Sequence, residues 1–161
     1  METLCIKTVI GDLTVFEHEN HIVALDWGHG QDGDAAAPRT TKNPVLQRTA
    51  DALLAYFKSG DENFPTLPLA PHGTDFQKRV WKEMQAIESG QVKTYGQIAK
   101  TLKSSARAVG TACGANPIPI LIPCHRVVAQ NTLGGYSGDG GLNTKTDLLR
   151  LEGYLSEALP L

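Results

Sequence analysis

Three prolines within seven residues, Pro65, Pro68 and Pro71, forbid regular helix across "DENFPTLPLAPHG" and cut the chain into two unlike parts. Before them the pattern is that of strands. The segments "LCIKTVIG" and "LTVFEHENHIVALDW" carry alternating β-branched and aromatic residues, punctuated by the turn formers Gly11-Asp12 and Glu19-Asn20. "GHGQDGDAAAPRTTKN" reads as a loop. "PVLQRTADALLAYFKSG" reads as a helix with Val45, Leu46, Ala50, Leu53, Leu54 and Phe57 on one stripe, stopped at Gly60.

Beyond the prolines the period becomes helical. Thr74 and Gln77 stand at capping-box spacing, ahead of a buried stripe of Phe76, Val80, Trp81 and Met84. A second helix starts at about Thr94. A third, within "SSARAVGTACGAN", is capped by Ser104 or Ser105 and closes near Gly114. Only a few residues separate these two, which is helix-turn-helix spacing. "TKTDLLRLEGYLSEAL" predicts a last amphipathic helix. The expected fold class is α+β, with a small N-terminal α/β domain over residues 1–70 and a mainly helical domain over 71–161.

The third helix is unusual in composition. Ala106, Ala108, Gly110, Thr111, Ala112, Gly114 and Ala115 are all small, and Arg107 is its only long side chain. Tight packing against a neighbouring helix explains such a run. So does a helix pressed into a nucleic-acid groove with Arg107 reaching in. Charge is unevenly shared: residues 1–73 hold 5 Lys and Arg against 10 Asp and Glu, and residues 74–161 hold 10 against 7. A polyanion would meet the C-terminal half.

At 41% hydrophobic and 20% charged residues the composition is that of a globular protein. No run approaches the roughly 18 apolar residues of a membrane span. The N-terminus resembles neither a signal nor a transit peptide, so a cytoplasmic location is expected. Cys5, Cys113 and Cys124 are odd in number and widely spaced, which suits a reducing compartment rather than a disulfide framework. Cys5 with His18, His21, His29 and His72 lacks the spacing of a metal site, and no metal is expected.

The chemistry concentrates in "ILIPCHRVV", residues 120–128, where Cys124, His125 and Arg126 interrupt an apolar run. A free thiol has a pKa of about 8.5 and needs a base, a cation or a helix N-terminus to become a thiolate at neutral pH. His125 is the nearest base, yet neighbours on an extended segment point to opposite sides, so the two cooperate only if the backbone turns after Pro123 or a water bridges them. Glu152, beside an apolar stripe, is a candidate to orient the imidazole, and equally an ordinary surface acid. These residues alone allow a Cys-His hydrolase, a redox thiol or an alkyl acceptor.

"NPIPILIPCHRVV", Asn116 to Val128, closely resembles the active-site signature of the O6-alkylguanine-DNA alkyltransferases, also called methylated-DNA–protein-cysteine methyltransferases. The resemblance extends through "FQKRVW", "VKTYGQIA", "ARAVG", "GGYSGDGG" and "KTDLLRLEG", covering essentially all of residues 74–155. It implies a ribonuclease H-like mixed sheet with a helix, followed by a winged-helix or helix-turn-helix domain. It implies stoichiometric DNA repair without a cofactor: an alkyl group moves from guanine O6 to Cys124, with O4-alkylthymine left open as a second substrate. In that family's pattern Cys124 matches the acceptor, His125 the water-mediated base and Glu152 the acid that orients it. Asn116 matches the tie between the helix-turn-helix and the active-site segment. Tyr95 matches the donor to guanine N3.

The resemblance further makes Arg107 the residue that fills the gap left by a flipped base. Ala106, Ala108, Thr94 and Gln97 join it and Tyr95 at the DNA, and Tyr136, Ser137 and Val127 line the guanine pocket. Arg126 is expected to anchor the turn. The implied partner is double-stranded DNA, met through the minor groove without sequence readout by a monomer. Two rivals remain: a lesion binder without transfer, which the presence of Cys124 disfavours, and a transcription regulator, which a helix with one long side chain disfavours.

Overall fold

In a computed structural model, the described residues are 1–28, 37–60, 64, 67–134 and 142–155. The first half builds an antiparallel sheet in the order β1 (Glu2–Thr8), β2 (Gly11–His18), β3 (His21–Trp27). Glu19 and Asn20 both adopt positive φ, 48° and 67°, and turn β2 into β3 as expected. The first hairpin turns one pair earlier than its sequence suggests. Val9 and Ile10 make the turn, and Gly11, at φ 110°, opens β2. Alternation places Leu4, Ile6, Leu13, Val15 and Leu25 on the buried side, and a register shift between Phe16 and Glu17 brings Ile22 to it as well.

Helix α1 (Pro44–Ser59) covers that side. Its N-cap Asn43 accepts from the amides of Val45 and Leu46, Pro44 fills the first turn, and Gly60 ends it at φ 78°. The buried stripe differs from the expected one at three places: Leu54 is 48% exposed, whereas Thr49 and Tyr56 are fully buried. The proline-rich stretch also does more than link. Ile22 donates to Pro68 and accepts from Ala70, so Leu69 forms a parallel bridge beside the antiparallel sheet and makes it mixed.

The second half is helical. Helix α2 (Asp75–Gln85) starts on a complete capping box between Thr74 and Gln77, and α3 (Tyr95–Leu102) on another between Thr94 and Gln97. Lys103 at φ 55° then turns the chain into α4 (Ala106–Gly114), capped by Ser105. Buried Trp81 of α2 donates its indole N–H to the carbonyl of Ala112, which fixes α4 on α2. Strand β4 (Lys93–Thr94) pairs in parallel with β5 (Val127–Val128), and this pairing sets the start of α3 against the cysteine segment.

Residues 118–122 are fully buried or nearly so. Asn116 holds this loop at both ends, accepting from the Ile118 amide at 2.9 Å and donating to the Ile122 carbonyl at 2.8 Å. Ile120 sits at φ 72°, a left-handed conformation that is strained for a β-branched residue and persists only where the surroundings enforce it. The amide of Leu25 donates to the carbonyl of Pro117, joining the sheet to the same loop. The last helix, α5 (Leu142–Leu151), is shorter than its pattern suggests, because the chain turns at Gly153 with φ 83°.

Candidate active site

Cys124, His125 and Arg126 form one turn of 3-10 helix between Pro123 and β5, rather than an extended segment. Successive side chains of such a turn diverge by about 120° instead of pointing to opposite faces, so strand alternation does not separate them. All three side chains are buried, His125 completely.

Glu152, just past the end of α5, faces this turn. Its Oε2 lies 2.6 Å from His125 Nε2 and accepts from Arg126 Nη2 at 2.9 Å, while Oε1 accepts from Arg126 Nε at 2.9 Å. The remaining Arg126 group donates to the Ile87 carbonyl at 2.6 Å. A third donor to Oε2 comes from across the molecule: the Tyr56 hydroxyl of α1, at 2.6 Å. Burial pushes the Glu152 carboxyl up, but the bonds from His125 and Arg126 outweigh it and hold the group at about 2. Glu152 is therefore a carboxylate at neutral pH.

Burial lowers the His125 pKa, opposed by Glu152 and assisted by the positive charges of Arg126 and Lys145. The ring is then neutral at pH 7. Its Nε2–H donates to Glu152, so the lone pair resides on Nδ1, which is buried and has no hydrogen-bond partner among the described residues. This assignment of the tautomer follows from the bonding pattern.

A second group of ionisable side chains surrounds the thiol. Lys145 of α5 is fully buried and donates to the Val127 carbonyl at 2.7 Å, with its ammonium 5.8 Å from the centre of the Tyr95 ring. Burial lowers its pKa to about 8, while the neighbouring Cys124 and Cys113 act in the other direction. Tyr95, half-buried at the start of α3, is pushed up to about 12 by burial first and by Cys113 and Cys124 next, so it is a neutral donor at pH 7. Gly134, at φ 72°, is needed where it packs on Tyr95, because a Cβ there would come within 3.0 Å of the ring. Burial likewise lifts the Cys113 thiol to about 12, which keeps it protonated.

The structure thus gathers Cys124, His125, Glu152, Tyr95 and Val127, and Asn116 braces the loop that leads into them. Thr94 and Gln97 are engaged in the α3 capping box, with Gln97 exposed. Arg107 and Ala106 are exposed at the start of α4 and Ala108 is partly so. Tyr136 and Ser137 lie outside the described residues. Cys5 is buried on β1 and His18 and His21 flank the β2–β3 turn; among the described residues no three His, Cys, Asp or Glu side chains gather as a metal site would require. No described helix is long and apolar enough to cross a membrane.

Sequence reasoning missed two participants. Lys145 shares one helical stripe with Leu148, Leu149 and Glu152, and a lysine on a buried stripe is itself a signal. Tyr56, three residues after Leu53, was displaced from the α1 stripe by the more hydrophobic Leu54.

Two family models match the chain: the ribonuclease-like domain of 6-O-methylguanine DNA methyltransferase over residues 3–71, and its DNA binding domain over residues 75–154. A methylated-DNA–protein-cysteine methyltransferase of Shigella flexneri is 50% identical over 109 residues, 66% of this chain and 63% of that protein. The match therefore spans just under two thirds of that relative's length. One of the same name from Haemophilus influenzae is 39% identical over 149 residues, covering 89% of this chain and 81% of its own. Among solved structures, the Mycobacterium tuberculosis O6-methylguanine methyltransferase superposes with a TM-score of 0.80 at 36% identity, covering 98% of this chain and 96% of that one. A crystal structure of Mycobacterium tuberculosis OGT in complex with DNA gives 0.79 at 36% identity, covering 95% and 93%.

Proposed function

The chain belongs to the 6-O-methylguanine DNA methyltransferase family, and from this premise we propose that it repairs DNA by taking an alkyl group from guanine O6 onto Cys124. The carrying observation is the bonding of His125: Glu152 occupies Nε2, so Nδ1 keeps the basic lone pair, on the residue that follows the buried Cys124 in the same 3-10 turn.

The thiol of Cys124 gives its proton to His125 Nδ1, through a water in the resemblance noted above. The ammonium of Lys145 favours the resulting thiolate. Sulfur then attacks the alkyl carbon in line, the S–C bond forms as the C–O6 bond breaks, and the electron pair leaves on guanine. The Tyr95 hydroxyl donates toward N3 as charge develops there, and the base takes up a proton to become ordinary guanine. The product is a thioether. Nothing in the chemistry of the site regenerates a thiol from it, so each molecule acts once.

The substrate is double-stranded DNA, met without sequence readout through the minor groove by a monomer acting in the cytoplasm. Small residues on α4 support close approach of backbone to backbone, and exposed Arg107 is long enough to occupy the space of an extruded nucleotide. Lys100 and Lys103 are exposed near the same turn and suit phosphate contacts. Tyr136, Ser137 and Val127 form the guanine pocket in this reading, and residues 1–70 and 71–161 are its two domains.

Stoichiometry tests the proposal. With a tenfold excess of duplex carrying O6-methylguanine, repair should stop after one lesion per protein molecule. Continued turnover would rule out a consumed acceptor, and no repair at all would remove the proposal.

A further inference from the structure

We propose that Tyr56, from the sheet domain, is a positioning residue of the alkyl-transfer site, and that through it α1 sets the proton affinity of His125. The proposal rests on the relay of Glu152, His125 and Cys124 proposed above.

Three observations carry it. First, the Tyr56 hydroxyl is fully buried and its one hydrogen-bonding hydrogen goes to Glu152 Oε2, the same oxygen that holds His125 Nε2. Arg126 Nη2 donates to that oxygen as well, and an oxygen shared among three donors gives less to each, so the phenol weakens the pull of Glu152 on the imidazole N–H. Second, the end of α1 is seated on the turn that carries Glu152. A Cβ at Gly60 would overlap the Leu151 carbonyl, and the Gly60 carbonyl accepts from the Ser89 hydroxyl. Third, Tyr56 is locked by Phe57 and Phe64, whose rings lie 5.1 and 5.4 Å from its own, so the hydroxyl has no freedom to turn elsewhere. Burial and the Glu152 charge both push the phenol above its ordinary value, so it stays a donor throughout the working range.

The charged and titratable groups facing the pair are Arg126 on the cysteine turn, Lys145 on α5, Tyr56 on α1 and the Cys124 thiol. Lys145 is lowered only to about 8, on the alkaline side. The acid side of the pH profile therefore reports His125.

The direction of the effect is fixed. Removing the hydroxyl leaves Oε2 more strongly bonded to His125, which stabilises the imidazolium and raises the pH at which the ring becomes a base. In Tyr56→Phe, the acid limb of single-turnover transfer from free O6-benzylguanine should move up by about half a unit, a fraction of the roughly one to two units that a whole hydrogen bond to a charge represents, because the bond is lost to Glu152 and reaches His125 only through it. Incorporating 3-fluorotyrosine at position 56, a stronger donor of nearly the same shape, should move it down. In a Glu152→Gln background Tyr56→Phe should move nothing. An unshifted limb in both position-56 variants, with Glu152→Gln still slow, overturns the role of Tyr56 and leaves the relay intact. Glu152→Gln reacting like the parent overturns the relay itself. Should Tyr56→Phe fail to fold, the fluorinated protein decides, since a purely structural hydroxyl would leave its profile unchanged.

Discussion

At the scale of single residues, the site is organised around one carboxylate. Glu152 accepts from His125, Tyr56 and twice from Arg126, three of these bonds falling on Oε2 and one on Oε1. A buried charge survives only when bonded in this way. The consequence is measurable. The folded-state pKa of Glu152, about 2, lies below its ordinary 4.5, so the ionised form stabilises the fold above pH 4.5, and that stabilisation drains away as pH falls toward 2. The difference corresponds to about 3 kcal/mol. Urea unfolding at pH 4.5 and pH 2.5 should show the parent losing appreciably more stability than Glu152→Gln, which has no proton to gain. Equal losses would show that Glu152 is not held ionised. Sequence spacing brought out Cys124 and His125, because reactive side chains between apolar runs stand out. It left Glu152 with two readings, and it passed over Tyr56, because nothing local records a bond spanning 96 residues.

At the scale of elements, caps made the helices readable. Asn43, Thr74, Thr94 and Ser105 each satisfy orphan amides, and each begins a helix where the pattern placed one. Tertiary bonds decided what the pattern did not. Pairing with Ile22 drew Leu69 into the sheet, and the 3-10 turn at Cys124 is the backbone turn after Pro123 that the sequence left as one of two alternatives. Helix α4 had two readings, of which the structure shows the packing one and leaves an outward face on which the other can be tested. Val109, Ala112 and Cys113 pack inward, and Arg107 faces out with Ala106. The outward face carries the prediction. Arg107→Ala should slow repair of O6-methylguanine in duplex DNA by tenfold or more and leave transfer from free O6-benzylguanine within about twofold, since no base needs to be displaced there. Comparable losses on both substrates would assign Arg107 to the fold instead.

At the scale of the molecule, two halves of opposite charge share one site. Residues 1–73 carry a net negative charge that a polyanion would repel, and residues 74–161 a basic excess that would attract one. The contact between halves is built from backbone and side chain together: Leu25 to Pro117, Gly60 against Leu151, Tyr56 on Glu152. This assembly was the part least visible in the sequence, because each half has its own periodicity and the bonds joining them have none. The central claim is that Cys124 itself keeps the alkyl group. Its most direct test is the intact mass of the protein after incubation with duplex carrying O6-methylguanine, followed by peptide mapping. The account predicts a gain of one methyl group, located on Cys124 and absent in Cys124→Ser. An unchanged mass alongside a repaired duplex, or a methyl group found on Cys5 or Cys113, would contradict it.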